Sequence, residues 1–475
     1  MKFITDKQYE VTVHFVEKDQ ELDMLPQDQQ DYITNTLEYK ANKSESYVDL
    51  GPGRSQVVLI GLGESKKVTR DSYVQAAFNA GKVLNQYKVK EASVATPVHS
   101  FLSGKELTQA IVEGFLHNAY RFNRYKSDAS DSSLKTISMT ANHEDIEASI
   151  KEVEFVMEGV YFARDLINTP SNDLYPTVMA DKVKEFLDIP GVEVDVYNQE
   201  QIEDLGMHAL LSVGQGSEKE ARFLVLKYLP EGEEASAITL VGKGITYDSG
   251  GYALKPAKSM EDMKSDMSGA ANVAGVIYAL AKNKVTKNVV GVMGLVENLI
   301  SGSSYKNGDI IPTMKGTTIE VLNTDAEGRV TLADTLYYAA TKVNSKEIID
   351  LATLTGACLV ALGEQVTGAM TNNEELYKAL EKSANYTGEM IWQLPMTDQL
   401  REQVKGTVGD LKNACGPYGG TITAGIFLEH FVEGIPWVHL DIAGPAFYSS
   451  AYGYIPSGGT GIPVRTLYHY ISNAE

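Results

Sequence analysis

Cysteine is nearly absent from this chain of 475 residues, which contains only Cys358 and Cys415. Two cysteines so far apart do not form the C-x-x-C pair of a thiol redox centre, and their scarcity is typical of a reducing cytosol. Histidine is also scarce, with eight residues. Because no H-E-x-x-H motif occurs among them, a metal site of that type is excluded.

Long apolar runs are missing as well. No stretch reaches the roughly 18–20 apolar residues that a membrane-spanning helix needs. The longest candidate, residues 348–363, is interrupted by Asp350 and by threonines and glycines, and we predict a buried strand that leads into a loop. The first 20 residues carry scattered charges and lack the apolar core of a signal peptide. We therefore expect no membrane partner and a cytoplasmic location.

Acidic side chains are in clear excess. The chain has 63 acidic and 42 basic residues, which gives a formal net charge of -21. Its content of 43% apolar and 22% charged residues is that of an ordinary globular protein. An acidic protein is well suited to bind cations, and its charge argues against nucleic acid as the main partner.

The length of the chain predicts two domains. The first third alternates short apolar strands with amphipathic helices, as a small α/β domain does. Gly61 and Gly63 follow one of these strands, but Lys66 replaces the third glycine of a dinucleotide fingerprint, so a tight turn is the better interpretation. A long helix is predicted at residues 143–168. We place the boundary in it, with an N-terminal α/β domain at 1–150 and a larger C-terminal domain at 151–475.

The larger domain also alternates strands and helices. Four apolar runs are typical of strands buried on both faces. They lie at 237–241, 289–296, 348–351 and 438–442, and helices are predicted between them at 269–281 and 332–341. This α/β pattern predicts a mostly parallel central sheet flanked by helices, in which ligands gather at the carboxyl ends of the strands.

Two carboxylates and a guanidinium alternate in the segment Asn323–Arg329, whose sequence is N-T-D-A-E-G-R. If the segment is extended, Asp325, Glu327 and Arg329 point the same way and converge on one spot. Carboxylates grouped in this way hold a divalent cation, and an arginine aimed at the same place suits an anion. A charged turn between a strand and a helix is the alternative for these residues alone.

A second polar group follows a predicted central strand. It consists of Lys243 and Asp248 in a glycine-rich stretch, then Lys255 and Asp266. We expect these residues in loops at the edge where ligands bind. A phosphate-binding loop is the competing interpretation, but its glycine and lysine order is not matched, because Gly244 follows Lys243.

The two segments together supply three aspartates, one glutamate, two lysines and one arginine. That is too much carboxylate for one surface salt bridge and suits two metal ions about 3.5–4 Å apart, with a water between them as nucleophile. Since no histidine belongs to the set, the expected ligands are carboxylate oxygens and a lysine amine.

These residues resemble the leucine aminopeptidase (cytosol aminopeptidase) family of dinuclear metallopeptidases. Asn323–Arg329 matches the family signature, and the spacing of Lys243, Asp248, Lys255 and Asp266 matches its other motif. Three stretches are similar to its C-terminal blocks, namely 410–413 (D-L-K-N), 437–444 (W-V-H-L-D-I-A-G) and 459–465 (G-T-G-I-P-V-R). The first third of the chain resembles the family only in layout.

The resemblance implies a metal-dependent aminopeptidase that releases the N-terminal residue, preferably leucine or another apolar residue, from peptides with a free N-terminus. It implies two divalent ions bridged by Asp248 and Glu327. Asp325 would complete one site, and Lys243 and Asp266 the other. A lysine binds metal only as the neutral amine, so nearby cations must lower its pKa strongly. Manganese or zinc is expected, with magnesium as a further candidate.

The resemblance also implies the catalytic groups. A water that bridges the metals attacks the peptide carbonyl, Lys255 stabilises the oxyanion, and Arg329 holds a bicarbonate ion that shuttles the proton. The family further implies a homohexamer. The residues expected to contact the substrate are Met263, Asn323, Thr353, Leu354 and Gly356.

Two other functions stay open at this point. A different two-metal hydrolase, such as a phosphoesterase, would use the same ligands, but the chain shows no separate cluster of arginine and lysine to hold a phosphate. A binding or regulatory protein on the same scaffold is the second alternative, since some members of the family also bind DNA. The net charge of -21 argues against DNA binding as the main role.

Overall fold

Two units with separate sheets organise the chain in the computed structural model, which describes residues 1–51, 55–129, 132–141 and 143–474. One unit comprises Met1–Met157 with Ala451–Ile455, and the other comprises Glu158–Ser450 with Pro456–Glu475. The chain passes from one unit to the other inside a long helix, and the boundary at 150/151 stays a prediction. None of the helices in the described ranges combines the length and apolar character of a membrane crossing.

The first unit is an α/β unit. Its strands are β1 (Lys2–Ile4), β2 (Thr12–Glu17), β3 (Ser46–Asp49), β4 (Val57–Gly63), β5 (Glu91–Ala95) and β6 (Thr136–Thr140). Its helices are α1 (Gln27–Asp31), α2 (Arg70–Gln86) and α3 (Gly104–Ala119), with a π-helical turn at Tyr32–Thr36 and a 3-10 turn at Ser65–Lys67. Helix α4 (Ile146–Asn168) runs from this unit into the next.

The sheet of the first unit has the strand order β1-β6-β5-β2-β4-β3. Its pairs are parallel except β3 with β4. Strand β4 is buried along its whole length because its residues are apolar or glycine. Helices α2 and α3 begin at capping boxes, in which Thr69 and Ser103 accept a hydrogen bond from the backbone N–H three residues later.

The second unit contains the larger sheet. Its strands are β7 (Val192–Tyr197), β8 (Arg222–Tyr228), β9 (Ala237–Asp248), β10 (Val289–Asn298), β11 (Ile310–Pro312), β12 (Thr318–Glu320), β13 (Ser345–Ala352), β14 (Thr367–Thr371), β15 (Ile391–Gln393), β16 (Leu411–Lys412), β17 (Trp437–Asp441), β18 (Phe447–Tyr448) and β19 (Gly458–Gly459). Its helices are α5 (Pro176–Phe186), α6 (Gln199–Asp204), α7 (His208–Gly214), α8 (Ala257–Met260), α9 (Ser268–Lys282), α10 (Glu327–Thr341), α11 (Gly356–Leu362), α12 (Glu374–Thr387), α13 (Asp398–Val404), α14 (Gly420–Glu429) and α15 (Val464–Ser472), with a 3-10 turn at Met263–Ser265.

The main sheet has the order β15-β14-β17-β13-β9-β10-β8-β7. The central strands β17, β13, β9 and β10 are parallel, whereas β14, β8 and β7 pair antiparallel with their inner neighbours. Helices α9 and α10 both pack on β9. The predicted α/β fold with a mostly parallel, helix-flanked central sheet is confirmed, and antiparallel strands are added towards its edges.

The predicted loop after residue 241 is wrong, because β9 continues to Asp248. The glycines in this stretch serve packing. A Cβ on Gly242 would lie 2.5 Å from Cα of Ala270 in α9, and a Cβ on Gly244 would lie 2.5 Å from the carbonyl oxygen of Gly294 in β10. Strand β9 therefore needs glycine at both positions to approach its neighbours. The run at 348–363 leads from a strand into a loop at 353–355 as predicted, but helix α11 then follows that loop.

Polar residues end the central strands on one edge of the sheet. Asp248 is the last residue of β9, Asn298 of β10 and Asp441 of β17, and Thr353 directly follows β13. Because these strands are parallel, their carboxyl ends lie at the same edge. The fold thereby collects these side chains from distant parts of the sequence.

Candidate metal centre

The segment 323–329 is not extended, so the alternation predicted for its charged side chains is wrong. Asp325 lies in a turn, where its backbone N–H donates to Oδ1 of Asn323 at 2.9 Å, and helix α10 begins at Glu327. Helical residues two positions apart differ by about 200° around the axis. Arg329 therefore does not share a face of the helix with Glu327.

Lys243 lies in the middle of β9 and is almost fully buried. Its Nζ is 2.8 Å from both carboxylate oxygens of Asp266 and 2.9 Å from Oε1 of Glu327, and it donates to the carbonyl oxygen of Thr353 at 3.0 Å. The hydroxyl of Thr353 donates to Oδ1 of Asp266 at 2.7 Å. Lys243 thus joins residues from three separate segments.

Lys255 occupies a matching place between two other carboxylates. Its Nζ lies 2.8 Å from Oδ2 of Asp248 and also contacts Oδ1 of Asp325. The side chain of Lys255 is 16% exposed, whereas that of Lys243 is 3% exposed. Lys255 is therefore the lysine of this cluster that a molecule arriving from solvent can reach more easily.

Four carboxylates and two lysines meet in this cluster, which leaves a formal net charge of -2. Asp248, Asp325 and Glu327 each offer an oxygen within 4.8 Å of the others. Oε2 of Glu327 is buried and has no hydrogen-bond partner among the described residues. Hard carboxylate oxygens, unbalanced negative charge and a free buried acceptor are what divalent ions such as manganese or magnesium require. The residues present fit a metal centre.

The ionisation of these groups reflects burial and their crowding. Burial raises the pKa of Glu327 to about 8, and Asp248 acts in the same direction against the opposing charge of Lys243. Burial likewise raises the pKa of Asp266. For Lys243 burial lowers the pKa, but the charge of Asp266, followed by other carboxylates, outweighs it and raises the pKa above its usual range. The cluster therefore favours additional positive charge over a further anion.

Three neutral side chains hold the turn that carries Asp325. Asn298 donates to both Oδ1 of Asp248 and the carbonyl oxygen of Thr324. The hydroxyl of Tyr305 donates to the same carbonyl at 2.8 Å. Asn413 donates to the carbonyl oxygen of Asn323 and accepts from its backbone N–H at 3.2 Å. The turn is thus fixed through its backbone, which leaves the carboxylate of Asp325 available to bind cations.

The loop after β13 is held from the opposite side by Asp441. Its Oδ1 accepts from the backbone N–H of Leu354 at 3.2 Å and of Ala443 at 3.1 Å, and its Oδ2 accepts from the hydroxyl of Thr355 at 2.6 Å. Because Thr353 in the same loop contacts Lys243 and Asp266, Asp441 supports the cluster indirectly.

Three predicted site residues lie outside this bonded network. Met263 is half-buried in the 3-10 turn three residues before Asp266. Gly356 is exposed at the start of α11, and a Cβ there would meet open space. Arg329 is buried and its Nε has no hydrogen-bond partner in the part of the chain that the structure describes, although the charges of Glu327 and Asp441 act on it. The structure brings together the other predicted residues and leaves these three beside them.

Asn298, Asn413 and Asp441 were not predicted as site residues. A signal for Asn298 was available, since it follows the predicted strand at 289–296, and polar residues after buried parallel strands gather at one edge. Asn413 and Asp441 lie far along the chain, where only the pairing of β16 with β12 and of β17 with β13 brings them close.

The sequence also compares directly with known proteins. The profile of the cytosol aminopeptidase family, catalytic domain, matches residues 161–468, and that of its N-terminal domain matches residues 12–129. The chain belongs to the cytosol aminopeptidase family. As a member of this family it is a metal-dependent aminopeptidase, which confirms the resemblance seen in its motifs. The first third, similar only in layout, belongs to the family as well.

Known relatives match most of the length of this chain. A probable cytosol aminopeptidase of Clostridium tetani is 44% identical over 473 residues, which cover 99% of this chain and 98% of that protein. One of Aquifex aeolicus is 45% identical over 424 residues, covering 89% and 85%. A mutant of tomato leucine aminopeptidase has a TM-score of 0.88 at 32% identity, covering 98% and 94%. The bottromycin maturation enzyme BotP in complex with Mn has a TM-score of 0.89 at 30% identity, covering 98% and 99%.

Proposed function

We propose that this chain is a leucyl aminopeptidase with two divalent metal ions, which removes leucine or another apolar residue from the N-terminus of peptides. One observation carries the proposal. Asp248, Asp325 and Glu327 present oxygens within 4.8 Å of one another, beside the buried pair of Lys243 and Asp266. A cluster of four carboxylates at a sheet edge suits two cations better than one.

In this proposal Asp248 and Glu327 would be shared by the two ions. Asp325 would complete the ligands of one ion, while Lys243 and Asp266 would complete those of the other. Manganese or zinc is the expected metal, with magnesium as a further candidate. The support for manganese comes from BotP, a structural relative described in complex with Mn. When bound, the ions supply positive charge that polarises the peptide carbonyl and lowers the pKa of a water between them.

Lys255 is proposed to stabilise the oxyanion that forms when the peptide carbonyl is attacked. Its Nζ already lies among Asp248 and Asp325, and its side chain is partly exposed. A preorganised ammonium at this position costs no reorganisation as negative charge develops. Burial of Lys243 makes that residue unsuited to the same task, since it faces carboxylates and the Thr353 carbonyl.

Arg329 is proposed to hold a bicarbonate ion that accepts and returns the proton during hydrolysis. No described residue accepts a hydrogen bond from its buried Nε, so an anion would satisfy this donor. The positive charge of a guanidinium, together with its planar set of donors, suits a small planar oxyanion.

The substrate is proposed to lie along the loop after β13 and the 3-10 turn before Asp266. The backbone of this loop is fixed by Asp441, which makes it a firm wall. Met263 offers a flexible apolar side chain that adapts to varied partners. The residues proposed to contact the peptide are Met263, Asn323, Thr353, Leu354 and Gly356.

We also propose domains at 1–150 and 151–475, a cytoplasmic location, and a homohexamer as the assembly. Neither a membrane nor a nucleic acid is proposed as partner, given the formal charge of -21. Light scattering of the purified protein tests the assembly. We expect the mass of six chains, and a stable monomer would contradict it.

The ligand assignment is tested by Glu327→Ala and Asp248→Ala. We expect both variants to lose metal-dependent release of leucine from leucine-p-nitroanilide. Glu374→Ala is a matched control, because Glu374 begins helix α12 as Glu327 begins α10, outside the cluster. Normal turnover by either cluster variant would rule out the assignment. Parallel assays with p-nitrophenyl phosphate separate a peptidase from a two-metal phosphoesterase, and a folded wild-type protein without turnover of either compound would favour a binding or regulatory role.

A further inference from the structure

Asn298 connects Asp248, at the end of β9, to the turn that carries Asp325. It is the last residue of β10 and is fully buried. Its Nδ2 donates to Oδ1 of Asp248 at 2.8 Å and to the carbonyl oxygen of Thr324 at 3.0 Å. The backbone carbonyl oxygen of Asn298 accepts from the backbone N–H of Ser249 at 3.0 Å and from the Ser249 hydroxyl at 2.7 Å. One residue therefore bonds both the end of β9 and the turn that carries Asp325.

The orientation of this amide follows from its partners. A carboxylate and a backbone carbonyl are both acceptors, so the NH₂ group has to face them. The amide Oδ1 is then left buried, and the described ranges of the chain offer it no hydrogen-bond donor. Such unpaired buried acceptors are rare and unfavourable in folded proteins. This one is tolerated at a place where both amide hydrogens go to the cluster, which points to a functional use of the donors.

The two oxygens of Asp248 have different surroundings. Oδ1 accepts from neutral donors, namely Asn298 and the backbone N–H of Gly250, each at 2.8 Å. Oδ2 lies 2.8 Å from the ammonium of Lys255. The neutral donors thereby hold Oδ1 towards the protein, and Oδ2 is left on the side where the positive charge of Lys255 lies.

Two other contacts link the end of β9 to the turn that carries Asp325, and they differ from the contact made by Asn298. Lys255 also joins Asp248 to Asp325, but it does so as a cation and competes with any metal for the same oxygens. The hydroxyl of Thr324 donates to the carbonyl of Gly250, which holds the backbone and does not touch the Asp248 carboxylate. Asn298 holds the carboxylate itself and carries no charge.

We propose that Asn298 is a positioning residue, which fixes Asp248 against the turn at Thr324 and keeps Oδ2 as the oxygen that would meet a cation. This inference rests on the proposed function. Neutral partners behind a metal ligand orient it, and their removal weakens metal binding by about 10- to 100-fold. We expect a loss of this size when Asn298 is replaced.

The test is a calorimetric titration of chelator-treated protein with Mn²⁺, using wild type, Asn298→Ala and Asn288→Ala. Asn288 is a close match, because it directly precedes β10, is buried, and donates its amide hydrogens to the carbonyls of Gly232 and Ala235. We expect both variants to lose stability in urea, and only Asn298→Ala to bind Mn²⁺ about 10- to 100-fold more weakly. If Asn298 served stability alone, Asn298→Ala and Asn288→Ala would bind Mn²⁺ with equal affinity.

Equal Mn²⁺ affinity of Asn298→Ala and wild type would overturn the inference. A wild-type protein that binds none of Mn²⁺, Zn²⁺ and Mg²⁺ would instead contradict the proposed function, so the two failures are distinguishable. If Zn²⁺ or Mg²⁺ binds and Mn²⁺ does not, the ion that binds replaces Mn²⁺ in the same comparison. If Asn298→Ala does not fold, Asn298→Ser replaces it, since a serine hydroxyl restores one of the two donors. Its affinity is then expected between those of wild type and a 100-fold loss, and a wild-type value would again overturn the inference.

Discussion

Replacing Gly328 with alanine places a methyl group against the side chain of Lys243. A Cβ on Gly328 would lie 2.4 Å from Cε and 2.6 Å from Nζ of Lys243, whereas ordinary contact begins near 3.4 Å. Cε of Lys243 therefore has to move by about 1 Å, the difference between 3.4 and 2.4 Å. Because Lys243 is buried among Asp266, Glu327 and the carbonyl of Thr353, this movement takes it away from its partners.

The expected magnitudes follow from these contacts. Separating a buried charge from its partner costs about 3–5 kcal/mol. Alanine favours a helix over glycine by about 1 kcal/mol, so the free energy of unfolding should fall by a net value of about 2–4 kcal/mol. Activity should fall further than stability suggests, since a displacement of 1 Å in an active site costs about 100-fold in rate.

The assay combines kcat/KM for leucine-p-nitroanilide under saturating metal with unfolding in urea. Gly425→Ala is the control, because Gly425 also lies in a helix and its Cβ would meet Met370 at 2.9 Å, away from the lysines. We expect the control to lose stability and keep its kcat/KM. A Gly328→Ala enzyme with wild-type kcat/KM would refute the argument that the helix start must pack against Lys243.

Two further predictions concern a lysine and a buried carboxylate. Lys255→Ala should keep a near-normal metal content by elemental analysis while kcat falls by about 10²–10³, and loss of metal would instead assign Lys255 a structural role. Burial raises the pKa of Asp334 to about 7, although the backbone N–H groups of Met314 and Leu210 donate to it. The folded protein then binds this proton more tightly than the unfolded chain, so the wild-type free energy of unfolding should fall as pH rises from about 4 to 7. Asp334→Asn should show a shallower slope than wild type in urea unfolding at several pH values, because Glu327 and Asp266 keep their own contributions, and equal slopes would contradict the assignment.

The sequence predicts the larger features of the site for a simple physical reason. Buried apolar runs form the central parallel strands, and the carboxyl ends of such strands share an edge. Asp248 ends strand β9 and Asp266 follows it, and Asp325 and Glu327 belong to a charged segment, so their meeting could be anticipated. The residues of the signature are also specific enough to indicate the family.

The local conformations were harder to predict. Helix α10 begins after Ala326, which has no side chain that can cap it. Its first turn contains Gly328, and glycine has a poor helix propensity. The glycines at 242 and 244 are typical of a loop, yet they serve close packing that depends on α9 and β10. Strand pairing and helix packing decide both cases, and neither is visible in a short window of sequence.

The contact between Asp441 and the loop after β13 has a consequence for synthesis of the chain. Lys243 and Thr353 emerge from the ribosome well before Asp441, because chains are made from the N-terminus. Until β17 is made, the backbone N–H of Leu354 and the hydroxyl of Thr355 lack the acceptor that holds them. A nascent chain therefore carries the residues of the carboxylate cluster before it can fix the loop beside them. Any truncation before Asp441 would leave the chain at that stage.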